Sequence, residues 1–297
     1  MLSLRGVRPL EFANKRIVGG LNLLTGRARE YSLDVCRALV SDLNEQNVDH
    51  VVVTGDISNL SLAPEFELAR EILMGLSLPA SEVTLIPGNH DSYTLEAHVR
   101  DDFTRVLSPY LKGDLPGEIG DYPFVRIRDD VAIVALSTAH PSPPLLAIGT
   151  LGPRQIRAAE TLLAHPEIER RFRVVLLHHP PRSRDTGWHN RLTDGDHFVE
   201  MIRRVGADLV LHGHLHRECR DHLPGPKHLV PVFGINSSTW LPRDRSRHAS
   251  YNIYELPSCA GARDGNDHHD DPRTRPLRVV RRGFNVRRGV FSQLSAT

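Results

Sequence analysis

The chain has 297 residues, long enough for one large domain or two small ones with a sizeable core. Hydrophobic residues at 40% and charged residues at 25% exclude a mainly disordered chain, and 37 Lys and Arg against 36 Asp and Glu exclude a global electrostatic pull toward nucleic acid or anionic membrane. The three cysteines, Cys36, Cys219 and Cys259, have no CxxC spacing and fit a reducing compartment; no apolar run approaches the roughly 20 residues of a spanning helix, so a cytoplasmic location is expected.

At the N-terminus, Arg5, Arg8, Lys15 and Arg16 interrupt every apolar run, so no signal peptide is read. Leu10, Phe12, Ile17, Val18, Leu21 and Leu24 make an imperfect helical stripe. We read it as a helix packed on its own domain, with contact to a membrane surface through its basic side as the alternative. Residues 48–53 are β-branched and run into Thr54-Gly55-Asp56, a strand ending in a tight turn. Leu62, Phe66, Ala69, Leu73 and Leu76 fall at helical spacing behind Pro64. Residues 83–86 form the next strand, closed by Pro87-Gly88, and a helix is expected over 94–108.

Residues 125–127 and 131–136 read as paired strands, and Gly152-Pro153 opens a helix. Residues 174–177 form a strand ending at His178, Asp194 can cap a helix carrying Phe198, Ile202 and Val205, and residues 208–211 form a strand ending at His212. Beyond this the pattern is strands alone, over 229–233, 250–256 and 277–282. Strands alternating with helices predict an α/β fold with largely parallel pairing, extended by antiparallel strands near the C-terminus. One domain over 1–297 is expected, with an exposed polar loop around 260–275.

Seventeen histidines are many, and their placement matters more than their number. Four predicted strands end in metal-competent residues: Gly55-Asp56-Ile57-Ser58-Asn59, Gly88-Asn89-His90-Asp91, His178-His179, and Gly213-His214-Leu215-His216. Ligands of open α/β sheets bind beyond the carboxyl ends of strands, so these segments can meet at one point. Carboxylate, carboxamide oxygen and imidazole together suit manganese, iron, zinc, cobalt or nickel, and no thiolate points to a structural zinc site.

These blocks resemble the calcineurin-like metallophosphoesterases, the group that includes purple acid phosphatases and class III cyclic-nucleotide phosphodiesterases. The family pattern runs D-x-H, G-D-x-x-[DN], G-N-H-[DE], H, G-H-x-H, and the last four blocks match here between residues 55 and 216. The resemblance implies a two-sheet sandwich flanked by helices, in four layers, and a hydrolase that attacks a phosphate ester with metal-activated hydroxide. It implies that Asp56 bridges two divalent metals, that Asn89, His178 and His214 complete one shell, and that His216 binds the other ion. His90 would contact phosphate and protonate the leaving oxygen, with Asp91 orienting it.

The D-x-H block is not found before residue 50, so the first strand and two ligands of the pattern are missing with it. We read this as a start placed downstream of the block or a truncated chain. The alternative is a degenerate, catalytically impaired member that binds metal or serves as a scaffold. His140, His179 and His189 are read as loop or outer histidines, and His212 as packing near the site. A small phosphoester, more readily a diester than a monoester, is the expected substrate. Nucleic acid is not, since only Arg278, Arg281, Arg282, Arg287 and Arg288 cluster late. Specificity would lie in the loops 92–111, 139–149 and 182–193.

Overall fold

The computed structural model describes residues 32–116, 120–143, 145–182, 186–256 and 277–294. The basic N-terminal stripe and the polar segment at 260–275 lie outside the described residues.

The described helices are α1 (Leu33–Glu45), α2 (Ala63–Leu73), α3 (Leu95–Arg100), α4 (Asp102–Leu107), α5 (Gly152–Leu163), α6 (Pro166–Glu169) and α7 (Gly195–Val205). The strands are β1 (Val51–Val53), β2 (Val83–Leu85), β3 (Phe124–Arg128), β4 (Val131–Ala135), β5 (Phe172–Leu177), β6 (Leu209–His212), β7 (Cys219–Pro224), β8 (Leu229–Gly234), β9 (Ser250–Glu255), β10 (Arg278–Asn285) and β11 (Val290–Gln293). Six of them form one mixed sheet in the order β3-β4-β5-β6-β8-β7. Strands β4, β5, β6 and β8 run parallel, and β3 and β7 close the two edges antiparallel.

The two-residue period of a strand assigns the faces. On β4, β5 and β6, Ala132, Val134, Val175, Leu177 and Val210 pack under α5 and α7 through Ile156, Ala159, Phe198 and Ile202. The alternate residues Ile133, Ala135, Val174, Leu176, Leu209 and Leu211 point the other way, toward Val52, Ile86 and Tyr254 of a second layer of strands. Each Val, Leu, Ile or Phe among them taken fully out of water stabilises the fold by roughly 1.5–3 kcal/mol.

That second layer consists of a parallel pair, β1-β2, and an antiparallel trio, β11-β10-β9. Among the described residues no strand joins the two pieces into one ladder. Its outer face carries helices: Val51, Val53, Val83 and Leu85 meet Phe66 and Ala69 of α2 and Phe103, Val106 and Leu107 of α4. Helix α1 reaches the trio, where Arg282 grips the buried Asp42 with two bonds of 2.6 Å and Tyr251 donates to the same carboxylate. The result is helices, sheet, sheet, helices, the expected four layers.

Three local departures have physical causes. The helix expected over 94–108 breaks at Asp101, which takes φ 47° and caps α4 by accepting from the Thr104 N–H. Asp194 does begin α7, but its carboxylate caps α5 instead, accepting from the Leu151 and Gly152 N–H groups at 3.0 and 2.7 Å. The sequence pattern does not mark helices α1 and α6 or strands β7 and β11. The side chains of β7 alternate between half-buried and exposed over most of its length, so it shows no run of apolar residues.

Candidate metal centre

Each of the four strand ends delivers a turn, and the turns interlock. Gly55, at φ 96°, brings its backbone so close to its neighbours that a Cβ there would stand 2.6 Å from the Gly88 nitrogen and 2.7 Å from His178 Nδ1. A Cβ on Gly88 would stand 2.1 Å from Asp56 Oδ1. Only glycine allows the first two turns to touch each other and the third. Asp56, His214 and His216 hold positive φ values of 58°, 69° and 48°. Such backbone costs on the order of 1–3 kcal/mol per residue and persists only where the surroundings enforce it.

Ligand atoms of Asp56, His178 and His214 lie within 4.8 Å of one another. Asn89 joins them, its amide oxygen 3.0 Å from His214 Nδ1. His178 Nδ1 donates to the Thr54 carbonyl at 2.7 Å, which turns Nε2 toward Asp56 Oδ2 at 3.3 Å. That Nε2 is buried and has no hydrogen-bond partner.

This arrangement fits a cation. A neutral imidazole carries one N–H, yet each of these rings faces an oxygen acceptor on both nitrogens: His178 between Thr54 and Asp56, His214 between Asn89 and the Asn190 carbonyl at 2.9 Å. Burial, then the neighbouring His178 charge, pushes His214 down to about 3, so a second proton does not relieve it. With the N–H groups given to the Thr54 and Asn190 carbonyls, the remaining lone pairs converge with the Asp56 carboxylate and the Asn89 oxygen. A divalent ion among them satisfies every acceptor at once.

The electrostatics agree. Burial opposes ionisation of Asp56, but the adjacent His178 and His90 outweigh it and hold the carboxyl well below the usual range. Burial also opposes protonation of His178; the nearby Asp56 charge and the bond His178 Nδ1–H donates to the Thr54 carbonyl outweigh it and raise that ring.

His90 stands beside this group rather than in it. Its backbone N–H donates to Asp56 Oδ1 at 2.9 Å, its Nδ1 lies 2.8 Å from the Asn59 carbonyl, and its ring stacks on Tyr93 with centroids 5.6 Å apart. The expectation that Asp91 orients His90 is corrected here. The Asp91 carboxylate accepts from the N–H groups of Asp56, Gly88 and Ser58 at 2.8–2.9 Å, and from the Ser58 hydroxyl at 2.8 Å. It staples the first turn to the second, and the Asn59 carbonyl orients His90.

His216 lies outside the three-residue group; its ring meets Trp240 edge-on at 5.3 Å. His179 is fully buried, with one nitrogen 2.7 Å from the Thr138 hydroxyl and the other 3.0 Å from the Ala147 carbonyl, so it packs beside His178 and His214 as an outer residue. His212 is buried under Gly234, as expected of a packing residue.

Sequence reasoning missed the partners that act through the backbone. The carbonyls of Thr54, Asn59 and Asn190 leave no residue signature. Glu65 does: three residues after Leu62 at a helix start, it collects the N–H groups of Asn59, Leu60 and Leu62 at 3.0–3.1 Å and shapes the first turn. The loops at 139–149 and 182–193 are also joined, by Ala147 N–H to His189 at 2.8 Å and Gly149 N–H to Arg191 at 3.0 Å, which places Asn190 against His214.

A family model described as calcineurin-like phosphoesterase matches residues 29–218. A probable cyclic nucleotide phosphodiesterase of Rhodopseudomonas palustris is 29% identical over 199 residues, covering 64% of this chain and 66% of that protein. A glycerophosphodiester phosphodiesterase of Enterobacter lignolyticus is 35% identical over 103 residues, covering 34% of this chain and 31% of that protein. The chain thus spans less than two thirds of the length of either relative. The structure of a purple acid phosphatase from yellow lupin (Lupinus luteus) seeds superposes with a TM-score of 0.52 at 12% identity, over 80% of this chain and 48% of that one, a likeness of fold.

Proposed function

The chain belongs to the calcineurin-like phosphoesterase family, and from that premise we propose that it is a metal-dependent phosphodiesterase acting on a small phosphodiester. The observation that carries the reading is the convergence of Asp56, Asn89, His178 and His214 with the orphaned Nε2 of His178. Those four residues would hold one divalent ion, and Asp56 with His216 would contribute to a second. Bound there, such ions supply positive charge for the phosphate and lower the pKa of coordinated water toward neutrality. The two similar proteins named as phosphodiesterases favour a diester over a monoester.

The chain's own residues set the geometry of the rest. Asn89 contributes a neutral oxygen, which leaves the centre cationic enough to attract phosphate. His90 is held at Nδ1 by the Asn59 carbonyl, so Nε2 is the nitrogen left for substrate. Protonated, it donates from Nε2 to the leaving oxygen while Nδ1–H stays on Asn59, and the ring does not have to turn. Stacking on Tyr93 fixes its plane.

The test is Mn²⁺-dependent hydrolysis of bis-p-nitrophenyl phosphate. Asp56→Ala should abolish turnover, and His90→Ala should lower kcat by about 10²–10⁴ with metal still bound. Turnover that survives Asp56→Ala would refute the reading. A metal-binding protein without turnover is the second reading, favoured by the position of His216 outside the group of Asp56, His178 and His214. Metal uptake with no hydrolysis by the chain would select it.

A further inference from the structure

His214 and His216 sit in one short turn, Gly213 to His216, in which the Leu215 N–H donates to the Gly213 carbonyl at 2.9 Å. Both histidines are at positive φ. Backbone in so sparse a region persists only where the surroundings enforce it, so contacts from outside the turn matter to it.

Arg247 supplies such contacts. Its Nε donates to the His216 carbonyl at 3.1 Å and its Nη2 to the Leu215 carbonyl at 3.3 Å, so one planar guanidinium spans two successive peptide groups. The same guanidinium lies over the Trp240 ring at 4.9 Å, and that ring meets the His216 imidazole at 5.3 Å. Backbone and side chain of His216 are thus braced by one layer. The layer is itself fixed: Arg247 N–H donates to the Asp244 carbonyl at 3.1 Å, and the Asn236 side chain donates to the carbonyls of Ser246 and His248 at 3.1 Å each.

We propose that Arg247, stacked on Trp240, is a positioning residue for His216, and that it sets the affinity of the ion His216 takes by holding the Gly213–His216 turn in its strained form. The proposal rests on the reading of His216 as a ligand. Arginine is required for its shape as well as its charge. A lysine ammonium has no flat fork with which to hold both carbonyls while covering the indole.

The chain has two tryptophans, Trp188 and Trp240. Trp188 is 72% exposed, so Trp188→Phe leaves Trp240 as the single reporter without disturbing the core. Co²⁺ is titrated into the full chain in that background and Trp240 emission is followed, since bound Co²⁺ quenches a nearby indole. Arg247→Ala should move the midpoint about tenfold higher, as for other outer partners of metal ligands, and Arg247→Lys should recover only part of the loss. His216→Ala should move it at least as far. Wild-type midpoints in both Arg247 variants, with a shifted His216→Ala, would overturn the positioning role alone. An unshifted His216→Ala would overturn the ligand reading and the proposal with it. If Arg247→Ala does not fold, Arg247→Lys carries the comparison, with the unfolding midpoint of the metal-free chain as the control for a merely structural effect.

Discussion

Asp91→Asn separates two tasks that one carboxylate can perform. Asp91 is 4% exposed, with the N–H groups of Asp56 and Gly88 on one oxygen and the N–H and hydroxyl of Ser58 on the other. Asparagine keeps the shape and one acceptor. Its amino group then faces the Ser58 N–H, donor against donor, and a buried unsatisfied N–H costs about 1–3 kcal/mol. The remaining bonds lose their ionic character and roughly half their strength. Burial and then the Asp56 charge push the Asp91 carboxyl up, so neutralising it returns part of that loss. The net expectation is on the order of 3 kcal/mol of stability. Urea unfolding of the metal-free chain measures it. Metal affinity should fall as well, because the bond that holds the Asp56 backbone is one of those weakened, whereas His90→Ala should leave metal bound. Wild-type stability and metal binding in Asp91→Asn, combined with a loss of kcat matching that of His90→Ala, would show that Asp91 acts through His90 and that the assignment from hydrogen bonds is mistaken.

Two further expectations probe packing and pH. Gly88→Ala places a methyl group 2.1 Å from Asp56 Oδ1 and 2.6 Å from its nitrogen. The carboxylate must move, and metal affinity should drop by at least about tenfold, read by equilibrium dialysis; unchanged affinity would contradict the interlocked turns. His50 is held low, at about 4 against 6.5, by burial that outweighs its bond to Glu82. The unfolded chain therefore takes up a proton below about pH 6.5 that the folded chain refuses until about pH 4, so stability should fall as pH drops through that window. The loss is on the order of 3 kcal/mol, and His50→Gln should flatten the urea-midpoint profile by that amount relative to the parent chain. Parallel profiles would refute the assignment.

The sequence is legible where side chains repeat or where a motif carries its own chemistry. The continuous apolar runs at 131–136 and 174–177 became strands of the central sheet buried on both faces. Asp56, Asn89, His178 and His214, one from each block, lie together, with His216 outside the group, because parallel neighbours β5 and β6 end side by side and β1 and β2 do the same in the facing layer. What stayed hidden depends on backbone atoms or on competition between equal candidates. Asp91 is one residue from His90, and only the fold shows that its oxygens turn back to residues 56–58. Asp194 precedes one helix and caps another. Both acids had a plausible local partner and took a distant one, since several backbone N–H donors that would otherwise lack partners outweigh a single nearby contact.

The centre is therefore built as a backbone interlock first and a ligand set second. Two glycines allow three turns into contact, Asp91 binds the first two together through four short bonds, Glu65 fixes the remainder of the first, and carbonyls of Thr54 and Asn190 fix the proton on each histidine. None of these groups has to touch an ion to decide how well it binds. Without that frame, Asp56 and His214 would relax from positive φ to the ordinary backbone regions and their side chains would swing apart. The strain and the charge crowding of the bare site stabilise the same occupant: an ion that neutralises the carboxylate and accepts the imidazole lone pairs offsets both. Substitutions of the frame should consequently weaken metal binding more than they weaken the fold whenever the turn can relax into water, as at Arg247, and weaken both when it cannot, as at Asp91.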